Sequence, residues 1–169
     1  TPSTNIQFIL QIPEPIQDEE KILIEILDEV SGLPNNIRSY ELEQMSDLEY
    51  TLQLSFPAGS VLKYRYARLA GSKIPEINSS GNPVRYRLGH VTHSIQLVDQ
   101  LWGWQGESPV RSKGTLSGTI QNRENSEPLP DMLVSAGGRL TFSDANGSYL
   151  LDGLPPGVHN LVIYALDGS

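Results

Sequence analysis

Apolar and polar residues alternate with period two along most of this chain, the spacing that places every second side chain on one face of a strand. Ile6, Phe8, Leu10 and Ile12 share a face over residues 5–12, and Pro13 and Pro15 end the run. Tyr50, Leu52, Leu54 and Phe56 alternate over 49–56. Over 61–69, Leu62, Tyr64 and Tyr66 oppose Lys63 and Arg65. Val84, Tyr86 and Leu88 alternate with Arg85 and Arg87, which predicts a strand with both arginines facing outward. Ile95 and Leu97 point inward in a strand over 93–98, and a short strand is expected over 39–43. Residues 31–36, 57–60 and 77–83 are rich in Gly, Pro, Asn and Ser and read as loops or reversals. Residues 18–30 can be read two ways. Ile22, Leu23, Ile26, Leu27 and Val30 would stripe a helix capped by Asp18, whereas Ile22, Ile24 and Ile26 would line a strand. The β-branched run favours a strand over 21–27.

Residues 107–113 carry no pattern and read as a linker. Shorter strands follow over 114–121, 132–136, 139–143, 148–151 and 158–164. Asp144-Ala145-Asn146-Gly147 is a hairpin turn, because Asn-Gly readily takes the positive φ such turns need. The fold class is therefore all-β: two tandem antiparallel β-sandwich modules. The first spans residues 1–106 with about seven strands. The second, over 114–169, is small and is expected to be truncated.

Composition narrows the function. The 169 residues include 20 acidic and 12 basic ones, a net charge of −8, and no basic cluster, which argues against nucleic acid or an anionic membrane as partner. The absence of cysteine excludes disulfides, thiolate metal sites and a cysteine nucleophile. No apolar run is long enough to span a bilayer. The start at Thr1-Pro2-Ser3-Thr4 and the end at Asp167-Gly168-Ser169 give the expectation of a segment from a longer exported protein, at the cell surface or outside the cell. A signal or anchor, and further domains that act as its partners, would lie elsewhere in that protein.

Gly118-Thr119-Ile120, the run from Pro128 to Val134, the run from Thr141 to Tyr149, and Leu154-Pro155-Pro156-Gly157 occur in an order that resembles the carboxypeptidase regulatory-like domains. These are transthyretin-like β-sandwiches that serve as non-catalytic appendages. The first half resembles starch-binding domains, a carbohydrate-binding-like fold. The likeness is carried by the opening strand from Phe8 to Pro13, by Leu62-Lys63-Tyr64-Arg65-Tyr66 with Glu76, and by Asp99-Gln100-Leu101-Trp102. The glucan-stacking tryptophans of that family are absent: Pro75 precedes Glu76, and the loop after the second strand reads Leu33-Pro34-Asn35-Asn36. The resemblance implies the fold and leaves out the starch site.

Candidate chemistry is sparse. His90 and His93 on a strand would point to opposite faces and could not share a metal ion. His159 stands alone and reads as structural. Asp144, Asn146 and Asp152 offer oxygens, but a turn bonding its own backbone explains them better than calcium does. The acidic pairs Glu19/Glu20, Asp28/Glu29 and Glu41/Glu43 have nothing to place them in a cleft, as glycoside hydrolysis needs. No nucleophile elbow or phosphate loop is present, so no enzyme, cofactor or metal is expected. Aromatic faces remain, because sugar rings stack on them. Trp102 is expected buried. Trp104, beside the linker, is the first candidate for carbohydrate stacking, with Tyr40 and Tyr86 after it. The reading is a non-catalytic accessory segment whose ligand would be polysaccharide. The alternative is a spacer or protein-interaction module that keeps only the fold.

Overall fold

The computed structural model describes residues 2–27 and 37–166. The expected loop over 31–36, Val30, and the Asp28/Glu29 pair lie outside the described residues. The described residues form strands and no helix. They are β1 (Ser3–Gln11), β2 (Lys21–Leu27), β3 (Arg38–Glu41), β4 (Glu43–Ser46), β5 (Glu49–Pro57), β6 (Val61–Ala70), β7 (Ser72–Ile77), β8 (Arg87–His90), β9 (Ile95–Gln100) and β10 (Gly103–Trp104). A further five follow: β11 (Gly114–Thr119), β12 (Leu133–Ala136), β13 (Arg139–Phe142), β14 (Ser148–Leu154) and β15 (Val162–Tyr164). Residues 21–27 are a strand with Ile22, Ile24 and Ile26 buried. Pairing with β6 on one side and β3 on the other settles the helix–strand ambiguity.

One sheet has the order β4-β5-β1-β9, and the facing sheet has the order β10-β7-β6-β2-β3 with β8 also paired to β6. Between them lie Ile6, Phe8, Leu10, Ile22, Ile24, Leu62, Tyr64, Tyr66, Leu97 and Leu101, each nearly inaccessible. Phe8 meets Tyr64 edge-on with ring centroids 5.1 Å apart, a geometry that aligns the ring quadrupoles favourably. Among the described residues one pair, β1 with β9, is parallel, and the other pairs are antiparallel.

Three sequence expectations change here. Residues 72–77, which carry no clear alternation, form β7, because β6 supplies a partner and turns back through Gly71 at φ +76. The strand expected over 84–88 begins only at Arg87. The one expected over 158–164 shortens to Val162–Tyr164.

The last five strands make a two-stranded sheet, β11-β14, and a three-stranded sheet, β13-β12-β15. Ile120, Val134, Ala136, Leu151 and Leu154 form a second core between them. The 144–147 turn is built as its sequence implies: Asp144 Oδ1 accepts from the backbone N–H of Asn146 and of Ser148, each at 2.9 Å. Gly147 follows at φ +71, where a Cβ would clash with the Ile120 carbonyl oxygen. Gly147→Ala is therefore expected to cost at least about 1–3 kcal/mol from the left-handed backbone alone, with the clash added. Urea unfolding of the variant checks this.

Candidate functional site

Arg87 sits in register with Tyr64 across the β8–β6 pair, so its side chain enters the sandwich instead of leaving it, contrary to the outward arginine that the alternation predicted. The alternation through 84–86 was a loop, and the true strand starts one residue out of phase with it. Once Arg87 is inside, it makes a fork onto Glu76 of β7, Nε to Oε1 at 3.0 Å and Nη2 to Oε2 at 3.2 Å. Its Nη1 lies 3.4 Å from Asp99 Oδ1 on β9, and Nη2 donates to the Gln100 carbonyl at 2.9 Å. The hydroxyls of Tyr64 and Tyr66 both donate to Asp99 Oδ2, at 2.9 and 2.7 Å.

These groups are 1–4% exposed or less. Burial, with the Asp99 carboxylate beside them, holds both tyrosine hydroxyls well above their ordinary titration range. Burial also pushes the Glu76 carboxyl up, against the pull of Arg87. The two carboxylates outweigh the desolvation of Arg87 and fix it as a guanidinium. The cluster ties β6, β7 and β8 to β9 of the opposite sheet. It is a buried brace between the two sheets. In the sequence Tyr64, Tyr66, Glu76 and Asp99 stand only as parts of a resemblance, and no local pattern signals that they converge on Arg87.

Because Arg87 points in, Leu88 points out. It packs with Leu133 and Val162 of the last five strands into a third apolar cluster, joined by Val61, Tyr86 and Leu140. Polar contacts flank it: Asn160 Nδ2 donates to the Leu88 carbonyl at 3.0 Å, and Arg139 Nη1 to Ser80 Oγ at 3.1 Å. Residues 107–113, read as a linker, are docked. Arg111 donates to the Leu101 and Trp102 carbonyls and stacks over Trp102, 5.2 Å from the ring centroid.

A cleft of about 200 Å³ opens at this junction, walled by Tyr86, Leu88, Leu133 and Tyr164 with Lys63 at its rim. Lys63 Nζ lies 5.0 Å from the Tyr86 ring centroid.

The three aromatic candidates do not converge. Trp104 is 3% exposed, which corrects the exposure expected beside a linker. Arg68 lies over its ring at 5.8 Å, and its backbone N–H donates to Glu107, so the ring offers no free face to a sugar. Trp102 is buried, as expected. Tyr40 is half-buried against the first core. It stands on β3, at the opposite edge of the sheet from Trp104 on β10, about 19 Å away at ~4.8 Å per strand. Tyr86 is half-buried in the junction. His90 and His93 are exposed and His93 bonds Thr92. Among the described residues no cluster of ligating side chains could hold a metal ion. Asp152 is engaged by the Gly153 N–H and the Thr115 hydroxyl, which lower its pKa.

No protein-family model matches the chain, and no curated protein does. Among solved structures it is similar to a glycoside hydrolase family 15 glucoamylase from Hypocrea jecorina, at 16% identity and a TM-score of 0.45, over 62% of this chain and 17% of that one. It is also similar to a streptococcal ancillary pilin, at 10% identity and a TM-score of 0.30, over 95% of this chain and 53% of that one. The chain thus spans a minor part of the first and about half of the second. Both likenesses are loose and assign no function.

Proposed function

We propose that this chain is a non-catalytic accessory segment that acts as a rigid spacer: a starch-binding-like sandwich fused to a carboxypeptidase regulatory-like one, within a longer exported protein. The observation that carries the reading is the shared apolar cluster of Leu88, Leu133 and Val162. An outward face of the first sandwich is spent on fixing the second unit. A module that only trailed on a flexible linker would have no need of it. The docking of Arg111 onto Leu101 and Trp102 supports the same reading. Both tryptophans are used inside the fold, so glycan stacking has lost its first candidate. The buried brace adds support for a non-catalytic role, since its charged groups are consumed in joining the sheets.

A rigid spacer melts as one body. Calorimetry of the wild-type chain is expected to show a single cooperative transition. Leu133→Ala should lower stability by about 2 kcal/mol, and Leu133→Asp should split the transition in two by uncoupling the units. Two independent transitions in the wild type, with no change on Leu133→Asp, would rule the spacer reading out.

A further inference from the structure

Both units line the junction cleft: Val61, Tyr86 and Leu88 come from the first, and Leu133, Tyr164 and Leu166 from the second. Leu88 stands in register with Lys63 on the outward face of the β8–β6 pair. Phe142, Leu133 and Tyr164 form one row across β13-β12-β15, on the face that meets Leu88. Leu88 and Leu133 are buried, whereas Tyr164 is 39% and Leu166 63% exposed. Docking of the units therefore leaves an apolar wall open to solvent. Leu166 also lines a second depression, with Leu129, Met132 and the exposed Phe142. The apolar surface thus continues past the first cleft as an elongated track.

The charge at the first cleft is of one sign. Among the described residues that line it, Lys63 alone is charged. Its Nζ lies 5.0 Å from the Tyr86 ring centroid, and the Arg85 guanidinium lies 6.0 Å from the same centroid. Among the described residues neither cation makes an ion pair. This local positive charge belongs to a chain with 20 acidic and 12 basic residues, so it runs against the overall balance.

We propose that this junction binds an amphiphilic carboxylate, a straight acyl chain with an ionised head. The tail lies along Leu88, Leu133 and Leu166, and the head faces Lys63 and Arg85. Concave apolar walls with a few polar groups at one end are the usual form of a small-ligand site. A compact ring would use the first cleft alone. A chain also covers Leu166 and reaches toward Phe142, which removes more apolar surface from water. Exposed ion pairs contribute modestly, so the head sets the direction of entry and the tail supplies most of the affinity. The site rests on the spacer reading, because its two walls meet only when the units are docked.

The test is titration calorimetry of the whole chain with sodium hexanoate, octanoate and decanoate below micelle formation. Octylammonium and 1-octanol serve as the cationic and neutral matches. Octanoate is expected to bind and octylammonium not to, with 1-octanol weaker than octanoate by about fivefold. Decanoate should bind at least about tenfold tighter than hexanoate, as further methylenes on an apolar wall require. In Lys63→Gln/Arg85→Gln the octanoate dissociation constant should rise about fivefold while that of 1-octanol stays unchanged. Leu166→Ser, at an exposed position, should flatten the dependence on chain length with the melting temperature unchanged. Leu133→Asp should abolish binding together with the docking. The proposal is overturned if octylammonium binds as well as octanoate, or if neither the double variant nor Leu166→Ser changes the affinity. A wild type that melts in one transition and binds no carboxylate overturns the site and leaves the spacer reading standing. Two transitions in a wild type that still binds octanoate overturn the spacer reading and the shared cleft alike.

Discussion

Arg87→Met is expected to destabilise the protein by about 3–5 kcal/mol, the range for breaking a buried ion pair from one side. The reason is what the substitution leaves behind. Glu76 would lose both arms of its fork, and Asp99 would keep only the two tyrosine hydroxyls, in an interior where each carboxylate is 1–3% exposed. An uncompensated buried charge costs more than the pair contributes. The triple variant Arg87→Met/Glu76→Gln/Asp99→Asn should therefore recover a large part of the loss. Urea unfolding midpoints of the single and triple variants measure both effects. A loss below about 1 kcal/mol for Arg87→Met would show that the brace is not closed as described.

The second large effect is expected in alkali. Tyr64 and Tyr66 keep their protons in the folded protein to well above their ordinary value of 10.0. The unfolded chain gives them up at about pH 10. Their contribution is thus fully present below pH 10, and it is lost as pH rises from there towards their folded values. Between those limits the unfolded state binds fewer protons, so stability falls with pH by about 1.4 kcal/mol per unit for each tyrosine, about 2.7 for the two. Stability curves at successive pH values above 10 should show that slope. Tyr64→Phe/Tyr66→Phe should flatten it while lowering stability at neutral pH, since Asp99 Oδ2 loses both its donors. Spectrophotometric titration should find two of the seven tyrosines silent until the protein unfolds.

The brace shows where sequence reading stops. Leu62, Tyr64 and Tyr66 are legible as an inward stripe because β6 is long and its alternation unbroken. Arg87 is not, because its strand has only four residues and follows a loop whose spacing happens to alternate. A one-residue change of phase exchanges the two faces of a strand. That single slip hid both the buried guanidinium and the outward Leu88 that docks the second unit. Trp104 failed for a related reason. Its glycine-rich neighbours read as an open linker, but Arg68 lies over the ring and Glu107 turns back to accept from the Trp104 backbone N–H.

Over 21–27 local sequence only favoured a strand, which pairing with β6 and β3 then fixed, whereas it sufficed for the all-β class, the inward stripes of β1, β5 and β6, and the Asp144–Gly147 turn. Each is written in a local period or a local backbone preference, which short-range sterics and side-chain alternation enforce without help from distant residues. The tertiary structure alone decided what depends on residues far apart in the chain. It made β7 a strand by giving it β6 to pair with, and it set β1 beside β9 in parallel. It brought Glu76, Arg87 and Asp99 from three strands to one point, and it closed the two units over Leu88, Leu133 and Val162. A buried charge needs partners that no neighbouring residue supplies, so its place becomes known only when the whole sandwich has formed around it.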